Sequence, residues 1–236
     1  MPFAASLRAR VAPAFSPGAP GYDPCHDLFH LDRVARNARH LAAAEGADAD
    51  VAEAAAYLHD LDRAGATDPV AAARGHLDAV GAPADLATRV LEVVERHKDK
   101  SFAPGGKRAM SLEAQVLGDA DKLEAIGAIG IARAFSFGGL KGRALWDGAE
   151  TTPAETYVSG RLGTTIQHFY DKLLRLQDDF NTPTGRALGK ARTEFLRTFL
   201  AQFFEEWRAG GAWARGAVVA DEAEALRDPP AADDAH

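Results

Sequence analysis

The stretch LDRVARNARHLAA, residues 31–43, decides the fold class. Leu31, Val34, Ala35, Ala38, Leu41 and Ala42 recur at intervals of three and four, which gathers them on one face of a helix of 3.6 residues per turn. The spacing returns at residues 84–97, where Leu86, Val90, Val93 and Val94 form another apolar stripe. Alanine is abundant, β-branched residues are scattered, and clean polar–apolar alternation is hard to find, so the pattern predicts an all-α protein.

Working outward, residues 2–15 read as an amphipathic helix stopped by SPGAPGYDP at 16–24. The central helix is expected to start near Asp23 or Pro24 and to run to Glu45, closed by Gly46. Asp48 or Asp50 then caps a helix reading VAEAAAYLHDLDR, up to Gly65, and others follow over about 69–80 and 84–97. After the polar turn SFAPGGKR at 101–108, Ser111 caps a long helix through Phe135, which Gly138 and Gly139 break. A loop-rich stretch to Tyr157 precedes helices from about Gly160 to Leu176 and from Arg186 to Trp207. No internal repeat is visible.

The 236 residues suffice for a sizeable core in one domain. Thirty-four acidic against 27 basic residues give a net charge of −7, which argues against a nucleic-acid partner but leaves room for a local basic patch. The single cysteine, Cys25, excludes an internal disulfide and any cysteine-rich zinc module. The opening MPFAASLRARVAPAF places two arginines inside any would-be leader, and no uncharged run approaches the roughly 20 residues of a membrane span. The expectation is a cytoplasmic protein with no membrane partner.

Three helices carry unusual residues. His26, His30 and Arg33 fall at i, i+4 and i+7; His59 and Asp60 stand side by side after the apolar run AAAYL; Asp119 and Asp121 lie between Leu117 and Leu123. Adjacent helical residues point about 100° apart, so at least one of His59 and Asp60 must sit at the core boundary. A buried ionised carboxylate is costly unless paired or bound to a metal, and a neighbouring imidazole suits the metal. Residues two apart point about 200° apart, so only one of Asp119 and Asp121 can reach a given ion. A lone helical histidine is more often a packed, hydrogen-bonded residue than a ligand, and a lone His-Asp pair means nothing. Co-occurrence in the order H…HD…D changes that weighing.

That order resembles the signature of the HD phosphohydrolase superfamily, a helical bundle around a divalent metal. HDLFHLDRV (26–34), AAYLHDLDR (55–63), GDADKLEAIGAIGIARAF (118–135) and HFYDKLLRL (168–176) resemble one bacterial subgroup, the YedJ/YpgQ-type proteins, nucleotide pyrophosphohydrolases among them. The resemblance covers roughly residues 20 to 205. It implies an HD phosphohydrolase domain over 21–208, between an N-terminal helix and linker (1–20) and a C-terminal tail (209–236) expected to be mobile. It implies the ligands His30, His59, Asp60 and Asp121, the last chosen because it precedes the basic Lys122. Such a set suits one divalent ion (Mn, Mg, Fe, Co or Ni), with a second as the lesser expectation.

The resemblance further implies a catalytic group of Asp60, Arg33, Lys122 and His97, the histidine touching a second ion or a phosphate. Arg33, Lys122 and Arg133, with Lys98 and Lys172, are the candidates for holding substrate phosphates. Phe137, Leu140, Trp146 and Tyr157 are candidates for packing on a base. Several HD nucleotidases carry a Glu three residues after the motif Asp; Arg63 stands there instead, with Asp62 the nearest acid. The implied activity is metal-dependent phosphohydrolysis of a nucleotide, releasing pyrophosphate from nucleoside or deoxynucleoside triphosphates, by a monomer or a homodimer. The rivals are an alarmone or phosphodiester hydrolase using the same site, and a non-catalytic, metal-stabilised nucleotide-binding regulator.

Overall fold

A computed structural model describes residues 3–97, 110–149, 151 and 163–208. Among the described residues there is no strand, and the helices are α1 (Phe3–Val11), α2 (Leu28–Glu45), α3 (Ala49–Leu58), α4 (Pro69–Ala79), α5 (Ala84–His97), α6 (Leu112–Glu124), α7 (Gly127–Leu140), α8 (Thr165–Asp171) and α9 (Pro183–Arg208). Short 3-10 helices cover Ala12–Phe15 and Leu173–Asp179.

The stripe read from the sequence is the core of the bundle. Leu31, Val34, Ala35, Ala38, Leu41 and Ala42 are all buried, and α2 packs on both α3 and α6. Helix α3 is almost wholly sequestered from Val51 to Leu58 and also meets α1 and α5. Its run of small residues, Ala54, Ala55 and Ala56, is fully buried. Arg8 of α1 forks onto both carboxylate oxygens of Asp32 at 2.7 and 2.8 Å, tying the first helix to the second.

Capping sets the boundaries. Gly46 closes α2 in the left-handed region at φ +78°, which a side chain disfavours. Asp48 caps α3, accepting from the amides of Asp50 and Val51, and Ser111 caps α6 through the amide of Ala114. Several expectations change. The single helix expected from about Gly160 to Leu176 is α8, capped by Thr164, followed by the 3-10 helix Leu173–Asp179. Helix α2 begins at Leu28, later than Asp23, because the Asp27 carboxylate accepts from the His30 amide and makes Asp27 the cap. Helix α3 stops at Leu58 and leaves His59 to Arg63 in a turn. The long helix expected through Phe135 is α6 and α7, bent by 68° at Ala125–Ile126, and α7 continues through Gly138 and Gly139.

Residues up to Arg197 form one compact unit. A second begins at Thr198, inside the final helix, and its described part carries the ring run Phe199, Phe203, Phe204 and Trp207, with Phe203 and Trp207 stacked at 5.6 Å. No single described helix is long and apolar enough to cross a membrane. The tail 209–236 lies outside the described residues.

Candidate metal centre

Four element ends converge. His30 lies in the first turn of α2 with its whole side chain buried. His59 caps the C-terminus of α3 and Asp60 follows in the turn; both are buried, so the chain rather than a helical face turns the adjacent pair inward. His97 is the last residue of α5, and Asp121 lies near the end of α6.

The distances fit a shared ion. His30 Nε2 lies 3.5 Å from Asp60 Oδ2 and 3.7 Å from Asp121 Oδ1. His59 Nε2 lies 3.4 Å from Asp60 Oδ2 and 3.8 Å from Asp121 Oδ1. Ligand atoms about 2.0–2.3 Å from one metal stand roughly 3 Å apart when adjacent and rather more than 4 Å apart when opposite. The four atoms fall between those limits. They are too far apart for good hydrogen bonds with one another.

The chemistry of the donors gives a second test. His59 Nδ1 donates to the carbonyl of Ala56 at 2.7 Å, so its Nε2 carries the lone pair. That Nε2, the Nε2 of His30 and the Nε2 of His97 are all buried without a hydrogen-bond partner. Burial pushes the His59 imidazole down to about 3, which keeps it neutral, as a metal ligand must be. For His30 burial acts downward, but the Asp60 and Glu124 carboxylates outweigh it and raise its pKa above the ordinary value, a sign of a field that attracts cations. Imidazole nitrogens without a hydrogen-bond partner, set beside two carboxylates, fit a divalent ion.

His97 lies at this cluster: its Nε2 is 3.5 Å from Asp121 Oδ2 and its ring is 5.1 Å from that of His59. Behind His30 stands a carboxylate that sequence reading missed. Glu124 Oε2 is 3.6 Å from His30 Nδ1 and takes a 2.6 Å bond from Arg33 Nε. Arg33, expected to hold substrate phosphates, has its Nε bonded to the carboxylate that stands behind His30. The i, i+3 spacing of Asp121 and Glu124 was the available signal, since it places both toward one side of α6.

The rim holds two more groups. Arg63 Nε is 3.6 Å from Asp60 Oδ1, and its side chain is 41 % exposed. His26 is not on a helix; it sits in the preceding turn with Nδ1 2.7 Å from Asp23 Oδ2, its ring 5.5 Å from that of His30 and 6.4 Å from that of Phe137. Burial, aided by the Arg63 charge, pushes His26 down to about 4, so the ring is neutral at pH 7. The cations of Lys141 and Arg143 lie over the Phe137 ring.

Of the other expected phosphate holders, Lys122 and Arg133 contact protein groups. Lys122 bonds the Asp179 carbonyl and pairs with the Asp179 carboxylate at 3.0 Å. Arg133 donates to the carbonyls of Cys25 and Glu124 at 2.9 and 2.8 Å. Lys172 caps α8 beside His168. Lys98 and Tyr157 lie outside the described residues, while Trp146 bonds the Ala149 carbonyl and Leu140 is exposed. Asp119 points away from the cluster: its fully buried carboxylate accepts from the backbone and side chains of Asn181 and Thr182 at 2.8 to 3.1 Å.

Comparisons with known proteins agree with this geometry. Residues 28–126 match the HD domain model, a span that contains His30, His59, Asp60 and Asp121. The chain is 35% identical to the uncharacterised protein YpgQ of Bacillus subtilis over 181 residues, 75% of this chain and 82% of that one. The crystal structure of YpgQ in complex with ADP superposes with a TM-score of 0.68 at 32% identity, covering 86% of this chain and 94% of that one. A Lactobacillus plantarum structure gives 0.71 at 36% identity, covering 87% and 97%. An HD-superfamily hydrolase from Bacillus thuringiensis gives 0.69 at 29% identity, also covering 87% and 97%. With its histidine and aspartate donors gathered at one point, the chain belongs to the HD-domain family of metal-dependent phosphohydrolases.

Proposed function

We propose that this chain hydrolyses nucleoside or deoxynucleoside triphosphates and releases pyrophosphate. The observation that carries the reading is the convergence of unpartnered imidazole nitrogens and two carboxylates beside the exposed guanidinium of Arg63. The ADP in the YpgQ structure supports a nucleotide as the substrate. A divalent ion (Mn, Mg, Fe, Co or Ni) held by His30, His59, Asp60 and Asp121 would supply Lewis acidity toward a phosphoryl oxygen and toward water.

The chain's own residues do the rest. Arg63 anchors a phosphate, since a guanidinium matches two phosphoryl oxygens at once. His97, behind Asp121, contacts the phosphoryl group or a second ion. His26, its Nδ1 proton held by Asp23, is neutral and offers Nε2 to accept a proton from the attacking water. Phe137, with Lys141 and Arg143 over its ring, borders the nucleoside side of the site. The same reading makes the enzyme cytoplasmic, without a nucleic-acid or membrane partner, as a monomer or homodimer.

The test is a release assay over nucleotides, alarmones and cyclic or linear phosphodiesters, with each metal added in turn. Pyrophosphate together with a nucleoside monophosphate supports the proposal. Turnover confined to alarmones or phosphodiesters would replace the substrate. Tight nucleotide binding with no turnover under any metal would make the protein a regulator.

A further inference from the structure

On the side of His30 away from the metal-facing nitrogens lies a separate cleft of about 340 Å³. Arg33, Arg36, Asn37 and Arg192 line it, with Glu124 and the start of α7 from Ile126 to Ile129. We propose that this cleft binds the phosphate groups of a small polyphosphate anion, as a second site distinct from the metal centre.

Charge is the first argument. Three guanidiniums surround one cavity in a chain whose net charge is −7, and the single lining carboxylate, Glu124, is already paired with Arg33 Nε. A purely structural role needs fewer donors. Arg192 spends one nitrogen on the Leu123 carbonyl, Arg33 spends one on Glu124, and Arg36 is exposed with no hydrogen bond or ion pair among the described residues. The remaining guanidinium donors suit phosphoryl oxygens, which accept from a planar fork of N–H groups.

Asn37 supplies the second argument. Its Nδ2 is buried and has no hydrogen-bond partner, although a buried donor left unmade is costly. An acceptor in the cleft would satisfy it. The third is α7, whose N-cap residue, Ile126, contributes no side-chain hydrogen bond to the first turn. The amides at that end and the helix dipole both favour an anion. The apolar edge of Ile126, Ala128 and Ile129 borders the polar groups.

The site is separable from catalysis because His30 stands between them. Its Nδ1 faces Glu124, which lines the cleft, and its Nε2 faces Asp60 and Asp121. An anion in the cleft meets Arg36 and Asn37, and neither belongs to the metal centre.

The experiment is calorimetric titration of sodium pyrophosphate, and separately of ADP, into the full chain stripped of metal by a chelator. His59→Ala, Arg36→Glu and Asn37→Asp are titrated beside wild type. One pyrophosphate per chain should bind to the metal-free protein, undiminished in His59→Ala. Loss of a charge-assisted contact predicts roughly 10-fold or greater weakening in Arg36→Glu and also in Asn37→Asp, which places a carboxylate in the cleft. Arg36→Glu should keep the wild-type melting temperature, since Arg36 has no hydrogen bond or ion pair to lose among the described residues. Equal affinity for pyrophosphate and ADP would identify the ligand as the phosphates alone, and tighter ADP binding would bring the nucleoside onto the apolar edge. Binding abolished by His59→Ala yet unchanged by Arg36→Glu and Asn37→Asp, or absent without metal, overturns the proposal. Nucleotide turnover by the wild type is scored separately, so failure here leaves the reading of the metal centre standing.

Discussion

At the scale of single residues, the two aspartates of GDADK separate by role. Asp121 faces His30 and His59, whereas Asp119 is occupied by Asn181 and Thr182. Asp121→Asn keeps the size but removes charge beside the ion, so metal occupancy measured by plasma mass spectrometry should collapse; Asp119→Asn at a permissive temperature should stay loaded. Glu124 acts through His30, and Glu124→Gln should weaken metal affinity roughly 10- to 100-fold, as loss of a group behind a ligand usually does. For phosphate binding, Arg63→Ala should lower kcat/KM roughly 10- to 150-fold at unchanged metal content, the value of a lost charge-assisted hydrogen bond. Lys122→Ala should leave KM near wild type, because its ammonium is held by Asp179. The reverse result would return Lys122 to the substrate site.

At the scale of elements, Asp119 joins α6 to the start of α9. Its carboxylate receives the amides of Asn181 and Thr182 and the hydroxyl of Thr182, and Gly185 lies so close that a Cβ there would meet Asp119 Oδ2 at 2.4 Å. Asp119→Ala strands these donors in the interior. A loss of about 3 kcal/mol is expected for such a buried charged network, lowering Tm by roughly 6–12 °C for a chain of this size. A melting curve that matches wild type would show the clamp to be dispensable. Helix ends also account for the boundaries that shifted. Asp27 competed successfully with Asp23 to cap α2, and α3 ended at Leu58 although nothing in VAEAAAYLHDLDR interrupts a helical pattern. Local pattern cannot register such ends, because they depend on which carboxylate finds an amide and which side chain is pulled into the core.

At the scale of the whole molecule, the proposed ligands come from α2, the α3 turn and α6, so an ion held by them would stabilise their packing together. Saturating metal at 100 times Kd adds about 2.7 kcal/mol, and Tm should rise by several degrees in wild type but not in His59→Ala. Absence of a shift in wild type would mean that no ion binds the native state. A pH effect comes from His168 on α8, which burial and the nearby cations of Lys172 and Arg143 push down to about 4. The native ring stays neutral while the unfolded chain takes up a proton below its ordinary value near 6.5. Stability from this group is therefore complete above about pH 6.5 and falls progressively as the pH drops toward 4, by up to about 3 kcal/mol. Urea unfolding of chelated wild type and His168→Gln across that window should show a shallower pH slope in the variant.

The sequence by itself determined the helical class, the core stripe of α2, the capping by Ser111 and the closure at Gly46. These rest on periodicity and on contacts within a few residues. The order H…HD…D in apolar segments also marked His30, His59 and Asp60 together with one of Asp119 and Asp121, and it was the resemblance to the HD phosphohydrolases that implied Asp121. Only the tertiary structure decided where the cations go. Arginine and lysine reach several ångströms from their backbone, so their spacing does not reveal whether a carboxylate, a carbonyl or open solvent receives them. Arg33 found Glu124, 91 positions away, Lys122 found Asp179, 57 positions away, and Arg63 was left at the mouth of the metal centre. Those outcomes depend on how α2, α6 and the segment before α9 pack, a long-range result that no local pattern carries.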